Sequence, residues 1–206
     1  MLRESGVDVV LDVGANGGQY GTVLRESGYR GRIESFEPLD GPFSELSARA
    51  SGDAAWRVHQ SALGDDDGEV VINVTANEGQ SSSVLPMKQL HVDAAPAALV
   101  IGTQQASVRR LDSIAADVAP EGCTPFLKID VQGFERNVLD GAKGTLDRIV
   151  GLELELSLAE LYEGGMLIHE ALDFCRQAGF TLVSIDPHFV DRSSGRLLQC
   201  DGIFLR

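Results

Sequence analysis

The chain has 206 residues, 43% of them hydrophobic, with a formal net charge of −14 at pH 7. That length bounds it to one domain, 1–206, with a sizeable core. So acidic a balance argues against nucleic acid or an anionic membrane as the main partner, and no apolar run is long enough for a membrane span.

Residues Met1 to Gly6 hold no apolar signal region, and the first strand follows almost at once. Cys123, Cys175 and Cys200 are odd in number, far apart and without a C-x-x-C pair. They indicate neither a disulfide framework nor a zinc site, and the expected location is cytoplasmic.

The apolar run that begins Val9-Val10-Leu11 reads as a strand ending in the carboxylate of Asp12. Gly14-Ala15-Asn16-Gly17-Gly18 is a tight turn, and Gln19 to Glu26 a helix. Glycines at 14, 17 and 18 can take positive φ and let a ligand lie against backbone N–H groups of the helix start. The spacing departs from the dinucleotide fingerprint G-x-G-x-x-G, and Asp12 would repel a phosphate. A carboxylate beside a row of amides suits instead a zwitterionic amino acid, such as the methionine end of S-adenosylmethionine.

Gly28 is expected to stop the helix, and Arg32 to Pro38 reads as a short alternating strand ending in the carboxylate of Glu37. Glu37 follows Gly18 by 19 positions, near the roughly 20 at which nucleotide-binding folds place an acid on the ribose hydroxyls. Pro42 opens a helix over Phe43 to Ala50, and Trp56 to Leu63 reads as a third strand. Ser61 and Ala62 at its end would meet an adenine; His59 inside it reads as a packed or hydrogen-bonded core residue. Asp65-Asp66-Asp67-Gly68 lacks the full EF-hand pattern and reads as a solvated turn, followed by an edge strand or hairpin in which Val70, Ile72 and Val74 alternate.

From Ala76 to Gln105 the chain is polar and irregular, which in a compact domain suggests a lid or insert, here given to acceptor binding. Ser107 to Leu111 resumes as a strand, with Asp112-Ser113 capping a helix from Ile114 to Val118. Pro125 to Glu135 repeats the first motif: a strand ending in Asp130, then Gly133 and a helix. In an open α/β sheet the carboxyl ends of strands at a switch point form the binding crevice, so Asp12 and Asp130 should converge.

In Gly151 to Leu156 the leucines share one face and send Glu153 and Glu155 to the other, where the acids need either a salt bridge to Arg148 or Lys128 or a pocket. The second alternative makes Glu155 an acceptor-site residue. A helix from Leu167 to Ala178 ends at Gly179. Phe180 to Ile185 and Leu197 to Leu205 then form an antiparallel edge hairpin, with His188 in the connecting loop as a surface histidine or a candidate base.

Leu11 to Gly18, Phe36-Glu37-Pro38, Arg110-Leu111-Asp112-Ser113, Leu127-Lys128-Ile129-Asp130-Val131-Gln132-Gly133-Phe134-Glu135 and Leu161-Tyr162-Glu163-Gly164 together resemble the FkbM-type S-adenosylmethionine-dependent methyltransferases. The resemblance implies a doubly wound, mostly parallel seven-stranded α/β sheet of the Rossmann-like class I kind, closed by the antiparallel hairpin. It also implies methyl transfer to a hydroxyl of a sugar, polyketide or glycolipid. The cofactor residues it implies are Asp12, Gly14, Asn16 and Gly18 for the methionine part, Glu37 for the ribose, and Ser61 and Ala62 for the adenine. Asp130 falls between cofactor and acceptor. The family often has an acid where this chain has Gln132, so no base or metal ligand is carried over to that position.

In-line attack by a hydroxyl on an activated methyl needs alignment first and a proton acceptor second. Asp130 is the expected base, with Glu155 and His188 as further candidates. No metal is assigned, although Asp130 and Glu155 offer oxygen ligands. The rival reading is a non-catalytic S-adenosylmethionine-binding partner or regulatory protein; a nicotinamide oxidoreductase is disfavoured by the missing fingerprint. The 76–105 segment and the edge hairpin are the surfaces a homo-oligomer would use.

Overall fold

The computed structural model describes residues 5–206. Residues 1–4, most of the stretch read above as lacking a signal region, lie outside the described residues.

In chain order the elements are β1 (Val9–Val13), α1 (Gln19–Glu26), β2 (Arg32–Phe36), α2 (Asp40–Ala50), β3 (Trp56–His59), β4 (Ala62–Leu63), β5 (Gly68–Thr75), α3 (Gln89–Ala94) and β6 (Val100–Arg109). They continue with α4 (Leu111–Val118), β7 (Pro125–Ile129), α5 (Glu135–Asp140), β8 (Gly151–Ser157), α6 (Ile168–Gln177), β9 (Thr181–Asp191) and β10 (Arg196–Leu205).

Seven strands form the main sheet in the order β3-β2-β1-β7-β8-β10-β9. The first five are mutually parallel, and β10 runs antiparallel to both of its neighbours. Every residue of β1 and of β7 is buried, as expected for central strands covered on both faces. The chain leaves β1 toward β2 and β3, then returns on the other side at β7. This reversal is the topological switch point, and it brings the turns after β1 and β7 side by side. Val13 pairs with Ile129 and the Asp130 N–H donates to the Val13 carbonyl at 3.1 Å.

A second sheet, in the order β4-β6-β5, stands beside the first. The third strand expected over Trp56 to Leu63 is therefore two strands. It breaks at Gln60-Ser61, and β4 pairs with Val108 and Arg109 of β6 instead of extending β3. The segment expected to be irregular from Ala76 to Gln105 contains α3, a 3-10 turn at Pro96–Ala98 and the first half of β6. The polar residues Gly102 to Gln105 hide that strand, which is held by its ladder to β5.

Two local expectations also change. Asp112 and Ser113 do not cap α4, which starts at Leu111. Asp112 accepts hydrogen bonds from Gly144 N and Thr145 Oγ1, while Ser113 Oγ donates to Asp67. His188 lies within β9 rather than in a loop, because β9 is the outermost strand and tolerates Pro187 there. No helix among the described residues is long and apolar enough to cross a membrane.

Candidate active site

The two turns at the switch point are locked by the absence of a side chain. Gly14 has φ of 77°, and a Cβ there would lie 1.8 Å from the carbonyl oxygen of Asp130. Gly14 and Ala15 donate their N–H groups to the Phe36 carbonyl at 3.1 and 3.0 Å, which ties the turn to the end of β2. Asn16, with φ of 46°, donates its N–H to Glu37 Oε2 at 2.9 Å, and the Leu39 N–H reaches Oε1 at the same distance. Each Glu37 oxygen keeps acceptor capacity for a ligand hydroxyl. Burial pushes the Glu37 carboxyl up to about 7, against the two amides that favour its charged form.

These groups line one half of a cleft of 660 Å³, with Ser61 and Ala62 on the same wall. That volume is within the usual range for small-molecule and cofactor sites. Asp130, Gln132, Glu155, His188 and Phe189 line the other half, and Ser81 to Val84 and His91 contribute from the segment between β5 and β6.

Asp12 and Gly18 stand elsewhere than the sequence reading put them. Asp12 is fully buried behind the turn, does not line the cleft, and accepts a hydrogen bond from Ser35 Oγ at 3.0 Å. Its other oxygen lies 3.5 Å from Lys128 Nζ, and burial pushes its pKa up. Gly18 takes φ of 88° at the start of α1, where a Cβ would come within 3.0 Å of Leu46 and 3.3 Å of Trp56. It serves close packing of α1 on α2 and β3.

Lys128 links the two motifs. Its Cα faces that of Asp12 across the β1–β7 ladder, and Nζ is 3.5 Å from Asp12 Oδ1 and 3.5 Å from Asp130 Oδ2. Burial works against its charge, but Asp130, Asp12 and Glu153 outweigh burial and hold it protonated well above the usual lysine range. The salt bridge considered between Arg148 and the β8 acids does not form: Arg148 donates to the carbonyls of Ala119 and Pro120. Glu153 instead accepts the Tyr20 hydroxyl at 2.7 Å, and burial raises its pKa.

Gln132 is the centre of the other half. It adopts φ of 55°, and its Nε2 donates to Asp130 Oδ1 at 2.8 Å and lies 3.0 Å from both Glu155 oxygens. Its Oε1 accepts the Tyr162 hydroxyl at 2.8 Å, and its carbonyl accepts Ser83 Oγ at 2.6 Å. Glu155 also accepts Gln199 Nε2 at 2.7 Å. Burial, followed by the nearby charges of Asp130, Glu135 and Asp201, pushes the Glu155 pKa well up, while the Gln132 hydrogen bond opposes the rise.

His188 Nε2 sits 3.4 Å from Asp201 Oδ1 and 3.9 Å from Glu155 Oε1, and the Asp201 hydrogen bond raises its pKa. Beneath this cluster Glu135 Oε1 accepts the N–H groups of Val131 and Gly133, fixing the turn. Asp130, Glu155 and His188 thus share one wall of one cleft. Asp201 was given no role from the sequence and Gln132 was noted only as a departure from the family, while His91 and Tyr162 fall in the segments 76–105 and 162–166, which the sequence gives to the acceptor pocket without singling out either residue. Lys128 alone carried a usable signal, since it occupies in Pro125 to Ile129 the place that Asp12 occupies in Val9 to Val13.

The Methyltransferase FkbM domain family matches residues 12–182, from the buried acid of β1 to the start of β9. The chain belongs to the FkbM methyltransferase family. The chain is also 25% identical over 195 residues to the 2-O-methyltransferase NoeI of Sinorhizobium fredii (strain NBRC 101917 / NGR234), covering 92% of this chain and 79% of NoeI.

Solved structures share the fold of this FkbM domain at much lower identity. Aeropyrum pernix fibrillarin, with natively bound S-adenosyl-L-methionine, aligns with a TM-score of 0.54 and 10% identity over 96% of this chain. Streptococcus pneumoniae Sp1610 in complex with S-adenosyl-L-methionine aligns with a TM-score of 0.54 and 12% identity over 97% of this chain. An uncharacterized Listeria monocytogenes serotype 4b protein aligns with a TM-score of 0.53 and 10% identity over 96% of this chain. This chain spans 66% of each of the first two and 61% of the third.

Proposed function

We propose that this FkbM-family protein transfers a methyl group from S-adenosylmethionine to a hydroxyl oxygen of a small molecule, sugar or glycolipid. The observation that carries the reading is the switch-point cleft itself. Gly14 leaves its floor bare against the Asp130 carbonyl, Glu37 offers paired acceptors on one side, and Asp130 stands at the boundary with the other half. Carboxylates of Glu37, Asp130, Glu153, Glu155 and Asp201 line the cleft against the ammonium of Lys128, an environment suited to a cationic donor.

In this reading the turn at Gly14 to Asn16, its N–H groups already taken by Phe36 and Glu37, lies against the amino acid end with its carbonyls as acceptors for the ammonium, Glu37 accepts the ribose hydroxyls, and Ser61 and Ala62 flank the adenine. Asp12 acts from behind by fixing Lys128, and Gly18 acts by letting α1 pack closely. When bound, S-adenosylmethionine supplies an activated methyl group, so the protein's main task is alignment of the acceptor oxygen. Asp130 takes the hydroxyl proton, and Glu155 and His188, 3.9 Å apart on the same wall, are the further candidates for that role.

Calorimetric titration with S-adenosylhomocysteine, with Asp130→Asn alongside, tests the reading. The expected result is saturable binding by both proteins and loss of labelled methyl transfer in the variant. No binding by the folded wild type would overturn the cofactor assignment. Binding with no transfer to any acceptor would favour a regulatory partner instead.

A further inference from the structure

His91 is buried, at 2% exposed, yet it lines the cleft. Its Nδ1 is shielded from solvent and has no hydrogen-bond partner among the described residues. Buried polar atoms are nearly always satisfied, so an orphaned one in a cleft wall points to a ligand group that meets it. The ring lies edge-on to Tyr162, with centroids 5.2 Å apart, and tilted against Phe189 at 5.1 Å. Tyr162 in turn reaches Gln132, which holds Asp130 and Glu155. His91 is therefore linked to the proposed base through two side chains.

We propose that His91 and Phe189 form an acceptor subsite that binds a second hydroxyl of an uncharged, polyhydroxylated acceptor, with His91 as a specificity-determining residue. The inference rests on the methyltransferase reading and names its acceptor class. Phe189 offers a ring to the apolar face of such a molecule, and His91 a hydrogen bond to its edge. Burial holds the imidazole down to about 4, so at neutral pH it carries one N–H and one lone pair, the complement of a hydroxyl. Asp130, Glu155 and Asp201 share the wall, and Lys128 is already engaged by Asp12 and Asp130. His188, on the same wall, is likewise engaged by Asp201, so an acceptor bearing phosphate or carboxylate would meet acids whose cations are already paired.

The test is nitrogen-15 NMR of the four histidine rings in protein saturated with S-adenosylhomocysteine. The probes are methyl hexosides and the corresponding hexose 6-phosphates. His91 is recognised as a ring still neutral at pH 5 and absent from His91→Phe. The expected result is a saturable shift of that ring with at least one neutral hexoside and none with the phosphates. His91→Phe should weaken that hexoside roughly tenfold, the size of one lost hydrogen bond, and leave S-adenosylhomocysteine affinity unchanged.

A ring unmoved by every hexoside, or moved equally by the phosphates, would overturn the proposal. So would unchanged hexoside affinity in the folded variant; His91→Asn provides the same comparison if His91→Phe does not fold. Failure of the wild type to bind S-adenosylhomocysteine would count against the cofactor reading alone, because the hexoside titration can be run without it.

Discussion

Gly14 and Asp130 lie in van der Waals contact across the switch point, so close that a Cβ on the glycine would fall 1.8 Å from the aspartate's carbonyl oxygen. The turn after β1 and the turn after β7 are therefore one rigid unit. Displacing either one displaces the other.

Gly14→Ala adds both this overlap and a left-handed backbone, and is expected to destabilise the protein by more than about 3 kcal/mol. S-adenosylhomocysteine binding should be lost with it. Gly68→Ala, whose Cβ meets nothing within 4 Å, should stay within about 0.5 kcal/mol of wild type. Thermal and denaturant unfolding of the two variants side by side checks the contrast.

Glu37 makes the ligand-free protein sensitive to pH. Its folded-state pKa is raised to about 7 from an ordinary 4.5. Between those values the folded chain holds a proton that the unfolded chain has released, so stability is highest below about 4.5 and falls as pH rises through 7. A full shift of this size corresponds to about 3 kcal/mol. Glu37→Gln should flatten that part of the stability profile, measured by urea unfolding from pH 5 to 8, and weaken cofactor binding.

Gln132 should govern the acid limb of the rate profile. Its amide holds the Glu155 pKa down against burial and neighbouring acids. Gln132→Ala removes that donor, so the Glu155 pKa should rise further and the acid limb of kcat/KM move upward with it. Steady-state kinetics across pH would test this, with S-adenosylhomocysteine affinity expected to remain near wild type.

The strand-turn-helix units at the switch point were legible because their apolar runs end at residues with few conformational alternatives. α1 has the expected boundaries, β1, β2 and β7 start at the expected residues although β2 and β7 end just before the carboxylates expected to close them, and Gly28 and Gly179 stop helices at φ of 81° and 84°. Of β6 only the end, from Ser107, was legible, since Gly102 to Gln105 carry no apolar alternation and the first part of the strand is specified by pairing with β5. The burial of Asp12 follows from its cross-strand neighbour Lys128, a relationship that exists only once β1 and β7 are adjacent. His91 was missed for a similar reason: its significance depends on Tyr162 and Phe189, both far away in sequence.

The position of β10 has a consequence for how the domain is made. The last strand in chain order lies inside the sheet, between β8 and β9. During synthesis β9 emerges first but has no partner until β10 arrives, and β8 meanwhile presents an open edge. His188 and Phe189 on β9, with Gln199 and Asp201 on β10, therefore join the cleft wall only in the final folding step. The wall built on the turns after β1 and β2 can therefore form before the wall that β9 and β10 complete, and a nascent chain would assemble its cleft in two stages.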